Sequence, residues 1–207
     1  MRLQGSRGAG AEFTTPAIVL MAVAIAINIA VGYLVQTVLR LPIYLDSIGT
    51  VLVGALAGPW AGLATGVLAN LIWGFTIGPN TIAPFAITAG VIGFMAGLFG
   101  RRGIFASSGS PRTGVYSALV GILTGVVAAI VSAPIAYFVF GGTTGSGTDA
   151  LVIIFRSITD NVFLATQLQG LASDPVDKLV TFVAVWALLL AVPVTVKTTF
   201  PQGEKTV

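Results

Sequence analysis

Long apolar blocks, separated by short clusters of charged, Gly, Ser and Pro residues, set the pattern of this sequence. A helix needs roughly 20 residues to cross a hydrocarbon core, and several blocks reach that length. The first covers residues 16–39, with Pro16 in the opening turn, where a missing N–H does no harm. Residues 44–75 are long enough for two short spans, and Gly58-Pro59 predicts a tight turn between them. A fourth span covers residues 82–99 and stops at Gly100-Arg101-Arg102. The Gly-, Ser- and Pro-rich stretch 103–112 reads as a loop. A fifth span covers 114–140, followed by a flexible loop at 141–147. Residues 149–171 have helical period but more polar positions, and the last span covers 178–196, opening after Asp174-Pro175.

Composition gives these blocks their solvent. Apolar residues are 56% of the chain and charged ones 8%, where a soluble domain carries about a quarter charged. Such a chain cannot cover itself in water, so the bilayer is its expected surroundings. The net charge of +3 reflects topology rather than nucleic acid, because the basic residues are scattered beside apolar spans. Six spans with both termini inside put Arg2, Arg7, Arg101, Arg102, Arg112, Lys197 and Lys205 on the cytoplasmic side. Arg40, Arg156 and Lys178 then fall outside, as the positive-inside rule favours. Asp46, Asp149, Asp160, Asp174 and Asp177 also fall outside, with Glu12 and Glu204 inside. The expected fold is an all-α integral membrane protein, with six transmembrane helices and an extra polar helix before the last span. A membrane domain at 16–197 would lie between cytoplasmic tails at 1–15 and 198–207. The first apolar stretch is too long for a signal-peptide core and is expected to be retained.

Charged and amide side chains at membrane depth are expensive and usually kept for a task. They gather on one side of this bundle. Arg40, Tyr44 and Asp46 follow span one, and Asn70 and Trp73 sit near the outer end of span three. Asn80 lies in the loop 76–81. Arg156, Asp160 and Asn161 lie on the polar helix with Gln167 and Gln169, and Asp177 and Lys178 open the last span. Singly, most have plainer readings. Arg40, Asp46, Asp177 and Lys178 serve as interfacial anchors, Trp73 as a belt aromatic and Asn70 as a bond between helices. Arg156 and Asp160, four residues apart, suit a pair on a wet face. Together they describe an outward-facing pocket with few polar groups and aromatic walls, as small molecules require. Arg40, Arg156 and Lys178 would meet a carboxylate or phosphate. The Asp and Asn side chains would read a heteroaromatic edge, and Tyr44, Trp73, Tyr137 and Trp186 would stack on its ring. A deeper site around Asn28, Tyr137 and Trp186 is the fallback.

Two small-residue series accompany the pocket. Ala22, Ala26 and Ala30 stack on one face of span one, a stripe that lets another helix approach closely. Gly54, Gly58, Gly62 and Gly66 continue across the Gly-Pro turn and suit tight packing of spans two and three. With no Cys and no His, disulfides, thiol chemistry and His-based acid–base or metal sites are excluded. No Walker motif, paired catalytic carboxylates or cofactor fingerprint appears, so neither an enzyme nor a cofactor protein is expected. No inverted repeat is evident, which weighs against a self-sufficient secondary transporter.

In size, span count, the Ala22-xxx-Ala26-xxx-Ala30 stripe and the stretch from Leu45 to Gly62, the chain resembles the substrate-binding S components of energy-coupling factor (ECF) transporters. The resemblance covers residues 16–197. It implies a prokaryotic plasma-membrane subunit that captures a vitamin or similar heteroaromatic micronutrient for ATP-driven uptake. It also implies partners, a membrane scaffold subunit docked on the stripe and two ATPase subunits, and no nucleic acid. The polar helix 149–171 is long for the family's loop before the last span. The alternative is a membrane sensor or scaffold without transported cargo, against which the short tails of the sequence weigh.

Overall fold

The computed structural model describes residues 9–77, 80–107 and 110–207. Arg2 and Arg7, counted above toward the inner side, lie outside the described residues. The described chain is all-α: eight α-helices joined by short turns, with no strand among the described residues. Three helical runs are long and apolar enough to cross a membrane, Thr15–Val38, Asn80–Gly100 and Pro111–Phe140.

Helix α1 (Thr15–Gly32) starts on Thr14, whose Oγ1 accepts the Ala17 N–H at 3.4 Å, with Pro16 in its first turn. A π-helical turn, Tyr33–Val38, prolongs it. The chain then folds back through an irregular segment at 39–47, with Arg40 and Leu45 at positive φ. Helix α2 (Ile48–Ala57) therefore has only ten residues and opens later than the sequence predicts. At 1.5 Å per residue it is about 15 Å long, half the hydrocarbon thickness. Gly58 makes the predicted turn at φ 128°, a conformation that suits glycine, and Pro59 starts α3 (Pro59–Thr76).

After a 3₁₀ turn at Asn80–Phe85 come α4 (Ala86–Gly100) and α5 (Pro111–Phe140), the latter ended by Gly141 in the left-handed region. The expected single polar helix over 149–171 is two elements. Helix α6 (Asp149–Thr159) stops at Asp160, held at φ 51°, and Asn161 caps the start of α7 (Val162–Ala191). Helix α7 runs without interruption through Pro175, where the sequence predicts a boundary. Proline removes one helical hydrogen bond there, and tertiary packing holds the helix together. Gly121 and Gly125 of α5 lie directly on the α7 backbone at Lys178 and at Asp174-Pro175, leaving no room for a Cβ. Asp177 and Lys178 thus stand in the middle of a 30-residue helix rather than opening a span. Helix α8 (Val194–Lys197) closes the series.

Helix α5 packs chiefly on α7, α2 and α3 on α4, α1 across α2 and α3, and α6 on α7. Gly54, Gly62 and Gly66 receive the backbone of α4, at Gly93 and Ala89, so this series seats α4 rather than only joining α2 to α3. A buried cluster containing Val51, Leu56, Ile92, Phe105, Phe182 and Leu189 fills the centre. Helix α1 buries Ala17, Met21, Ala24 and Asn28, while Ala22, Ala26 and Ala30 are all exposed. The stripe is therefore unused within the chain.

The residues just before α1 and those after α7 both reach the α2–α3 turn and the end of α4, so α1 begins and α7 ends at the same pole. That pole is tied shut. The Glu12 carboxylate accepts the N–H groups of Trp60 and Ala61, at 2.7 and 3.1 Å, and meets Arg101 at 2.6 Å. The final segment folds back under the bundle instead of trailing away. Gln202 donates to the carbonyls of Gly54, Ala55 and Gly97 at 3.1–3.4 Å, and Lys197 donates to Ser107 Oγ at 2.7 Å.

Candidate ligand site

At the opposite pole the helices part around a cavity of about 120 Å³. Its walls come from the end of α1, the fold-back segment 39–47, α3, α4, α5, the loop 141–148 and α7. One buried water occupies roughly 10–15 Å³ on this measure, so the space suits a ring-sized molecule.

The fold-back segment is pinned to α7 by a buried charge pair. Asp177 Oδ1 accepts the backbone N–H groups of Tyr44 and Leu45, at 3.1 and 2.8 Å. Its other oxygen pairs with Lys178, whose ammonium also donates to Ser47 Oγ at 2.8 Å. The fold-back segment leaves ordinary helical geometry at Leu45, and Asp177 receives the N–H groups that this frees. Gln36, from the π-helical turn, donates to Asp46 Oδ2 at 3.0 Å. The Tyr44 hydroxyl donates to Thr148 at 3.3 Å and accepts from Gln169 at 3.2 Å, joining three segments at the cavity rim. Across the cavity Ser132 donates to Asp174 Oδ2 at 3.3 Å. Burial pushes the Asp46 carboxyl above its ordinary range, with the nearby Lys178 charge pulling the other way.

Two cavity-lining groups have no such answer. Among the described residues the Thr88 hydroxyl is fully buried without a hydrogen-bond partner, and the Asn70 side chain, 6% exposed, makes no hydrogen bond to protein and faces the cavity space. A buried polar group left unpaired costs about 1–3 kcal/mol, and native structures leave few of them.

Of the residues singled out from sequence, Tyr44, Asp46, Asn70 and Lys178 line this cavity together. The others lie elsewhere. Arg40, Asn80, Arg156 and Asp160 are exposed. Among the described residues Arg156 and Asp160 form no ion pair, because α6 ends at Asp160 and the left-handed turn redirects its side chain. Asn161 is exposed and serves as a helix cap, accepting the Leu164 N–H at 3.0 Å. Trp73 is buried against Gly32 of α1, away from any lipid belt, with its indole N–H unpartnered. Tyr137 packs edge-on to Phe138 and Phe163 at 5.0 and 5.3 Å. Trp186 donates to Thr113 at 3.2 Å, near the closed pole. Asn28 is committed to structure, tying α1 to the start of α2 through Thr50 and the Gly49 N–H at 2.8 and 2.7 Å. Asp174 and Asp177 are buried within the bundle, and Asp46 is half-buried in the cavity wall.

Gln169, read with the polar residues of the pocket side, lines the cavity, and so do Gln36, Thr88, Ser132, Asp149 and Asp174, which were not among the site candidates. Gln36 and Asp174 carried a readable signal, an amide and a carboxylate inside apolar stretches. Thr88 and Ser132 carried none, because a hydroxyl among Ala and Gly is ordinary in a membrane helix.

These observations define a helical bundle with membrane-compatible spans, closed at one pole and hollow and polar at the other. In comparisons with known proteins, no family model, no curated protein and no solved structure matches this chain.

Proposed function

We propose that this chain is a membrane-embedded binding subunit that captures a small molecule for uptake, in the manner of the ECF S components it resembles. The observation that carries the reading is the cavity with Asn70 and Thr88 in its wall, neither of them hydrogen-bonded through its side chain among the described residues. Six membrane crossings, by α1, by α2 together with the fold-back segment that precedes it, and by α3, α4, α5 and α7, would place the cavity on the outer side and both ends of the chain inside. The charge distribution of the sequence supports that orientation. So do the apolar side chains turned outward, among them Val19, Val23, Leu119, Leu123 and Ile130. Helix α6 presents Ile153, Ile154 and Ile158 outward and lies along the outer interface. The exposed Ala22–Ala26–Ala30 face is the docking surface for a membrane scaffold that works with two ATPase subunits.

The test is Ala26→Trp in the full chain. The bulky ring blocks close approach of a second helix, so uptake by cells carrying the complete system should be lost while ligand binding by the purified chain persists. Unimpaired uptake would remove the docking role. Topology is read by cysteines placed at Ser6, which lies outside the described residues, and at Ser146. Only the latter should react with an impermeant reagent in intact cells.

A further inference from the structure

Charge is unevenly answered inside the cavity. Among the described residues, Asp46, Asp149 and Asp174 line it against a single cation, Lys178. Lys178 is already engaged by Asp177 and Ser47. Asp149 is engaged by the backbone N–H groups of Thr144 and Gly145, at 3.0 and 2.7 Å. That leaves Asp46 and Asp174, each receiving one neutral donor, Gln36 at 3.0 Å and Ser132 at 3.3 Å. Neither forms an ion pair among the described residues. An ionised carboxylate has about four lone-pair sites, so both retain most of their accepting capacity. Beside them stand the Asn70 amide and Thr88 hydroxyl, neither of which makes a hydrogen bond among the described residues.

We infer that the cavity takes a small organic cation, a molecule bearing a protonated amine, an amidinium or a positively charged ring nitrogen, neutralised by Asp46 and Asp174 while Asn70 and Thr88 meet its polar edge. The inference rests on reading the cavity as a ligand site and names the chemistry of the ligand. An anion would face two carboxylates with no free cation to receive it, since Arg40 and Arg156 stand outside the cavity. A divalent metal lacks a nest, because no group of three or more carboxylates gathers around one point among the described residues. The volume of about 120 Å³ also exceeds what a lone ion fills.

The experiment titrates the purified full chain, by calorimetry, with three ring-matched probes: benzylammonium, benzyl alcohol and benzoate. Benzylammonium should bind about tenfold tighter than either of the others, as a charge-assisted contact requires. Asp46→Asn and Asp174→Asn, which keep shape and remove charge, should each abolish most of that preference. Asp160→Asn, outside the cavity, should leave it unchanged. The thermal midpoint of each variant checks folding, and the probe series on the parent stands even where a variant does not fold. Equal or tighter binding of benzoate or benzyl alcohol overturns the cation while leaving a ligand site in place. A neutral or anionic molecule released on denaturing the purified chain does the same. A preference that survives in both folded Asn variants overturns the assignment of the carboxylates. No binding by any probe, and no molecule released, overturns both this inference and the ligand site itself.

Discussion

The two poles of the bundle use similar side chains to opposite ends. At the closed pole Glu12 is saturated: it takes two helix N–H groups and Arg101, and Gln202 beside it reaches three carbonyls. At the hollow pole, among the described residues, Asp46 and Asp174 take one neutral donor each, and the Asn70 and Thr88 side chains make no hydrogen bond. A buried polar group that is fully answered holds a fold together. One left partly unanswered destabilises the empty protein and is worth keeping where something else completes it. Within the hollow pole, Asp177 belongs with the first kind and Asp46 and Asp174 with the second.

The largest test of that division is Asp177→Ala. It strands Lys178 in the interior and frees the Tyr44 and Leu45 N–H groups, so stability should fall by about 3–5 kcal/mol. Unfolding of the purified protein measures it, and a loss under about 1 kcal/mol would mean water answers Lys178 and the interior is wet. Next comes Glu12→Ala. Arg101 is half exposed, with 46% of its side chain accessible, so the ion pair itself adds little. The uncapped N–H groups of Trp60 and Ala61 should cost about 1–3 kcal/mol. Ligand affinity should not change, and a matching loss of affinity would show the poles to be coupled.

Thr88→Val and Thr181→Val sharpen the contrast with a smaller effect. Both hydroxyls are buried and unpartnered among the described residues, but of the two only Thr88 lines the cavity. Removing either should leave stability within about 1 kcal/mol of the parent or raise it slightly. Only Thr88→Val should weaken binding of the preferred probe, by about threefold to tenfold. Equal effects of the two on binding would separate Thr88 from the ligand. Smallest of all, Arg156→Ala should move stability by less than about 0.5 kcal/mol and leave affinity alone, since Arg156 is exposed and unpaired among the described residues. A tenfold change in affinity would bring α6 into the site.

What was legible in the sequence was whatever depends on solvent and local backbone chemistry. Apolar blocks bounded by charges gave helices, three runs of them long and apolar enough to cross a bilayer. Gly58-Pro59 gave a turn, because glycine accepts φ 128° and proline starts a helix. The small-residue face of α1 could be read because its period is local, and it lies exposed. The polar clustering on one side also followed from the blocks, and it brought Tyr44, Asp46, Asn70 and Lys178 into the candidate set. The limits of local reading show at Pro175. Proline normally ends a helix, and only the close approach of Gly121 and Gly125 on α5 explains why α7 continues.

Which charges face inward was decided by tertiary structure alone. Asp174 and Asp177 are three residues apart on one helix, and so lie on adjacent turns. One is saturated by the backbone of a segment more than a hundred residues away, and the other is left open to a cavity. Arg40, in the fold-back segment at positive φ, and Arg156, on α6, are equally charged and lie at the surface, outside the cavity. Sequence fixes how much a side chain loses by leaving water. Only the packing of distant segments fixes whether a partner waits for it there.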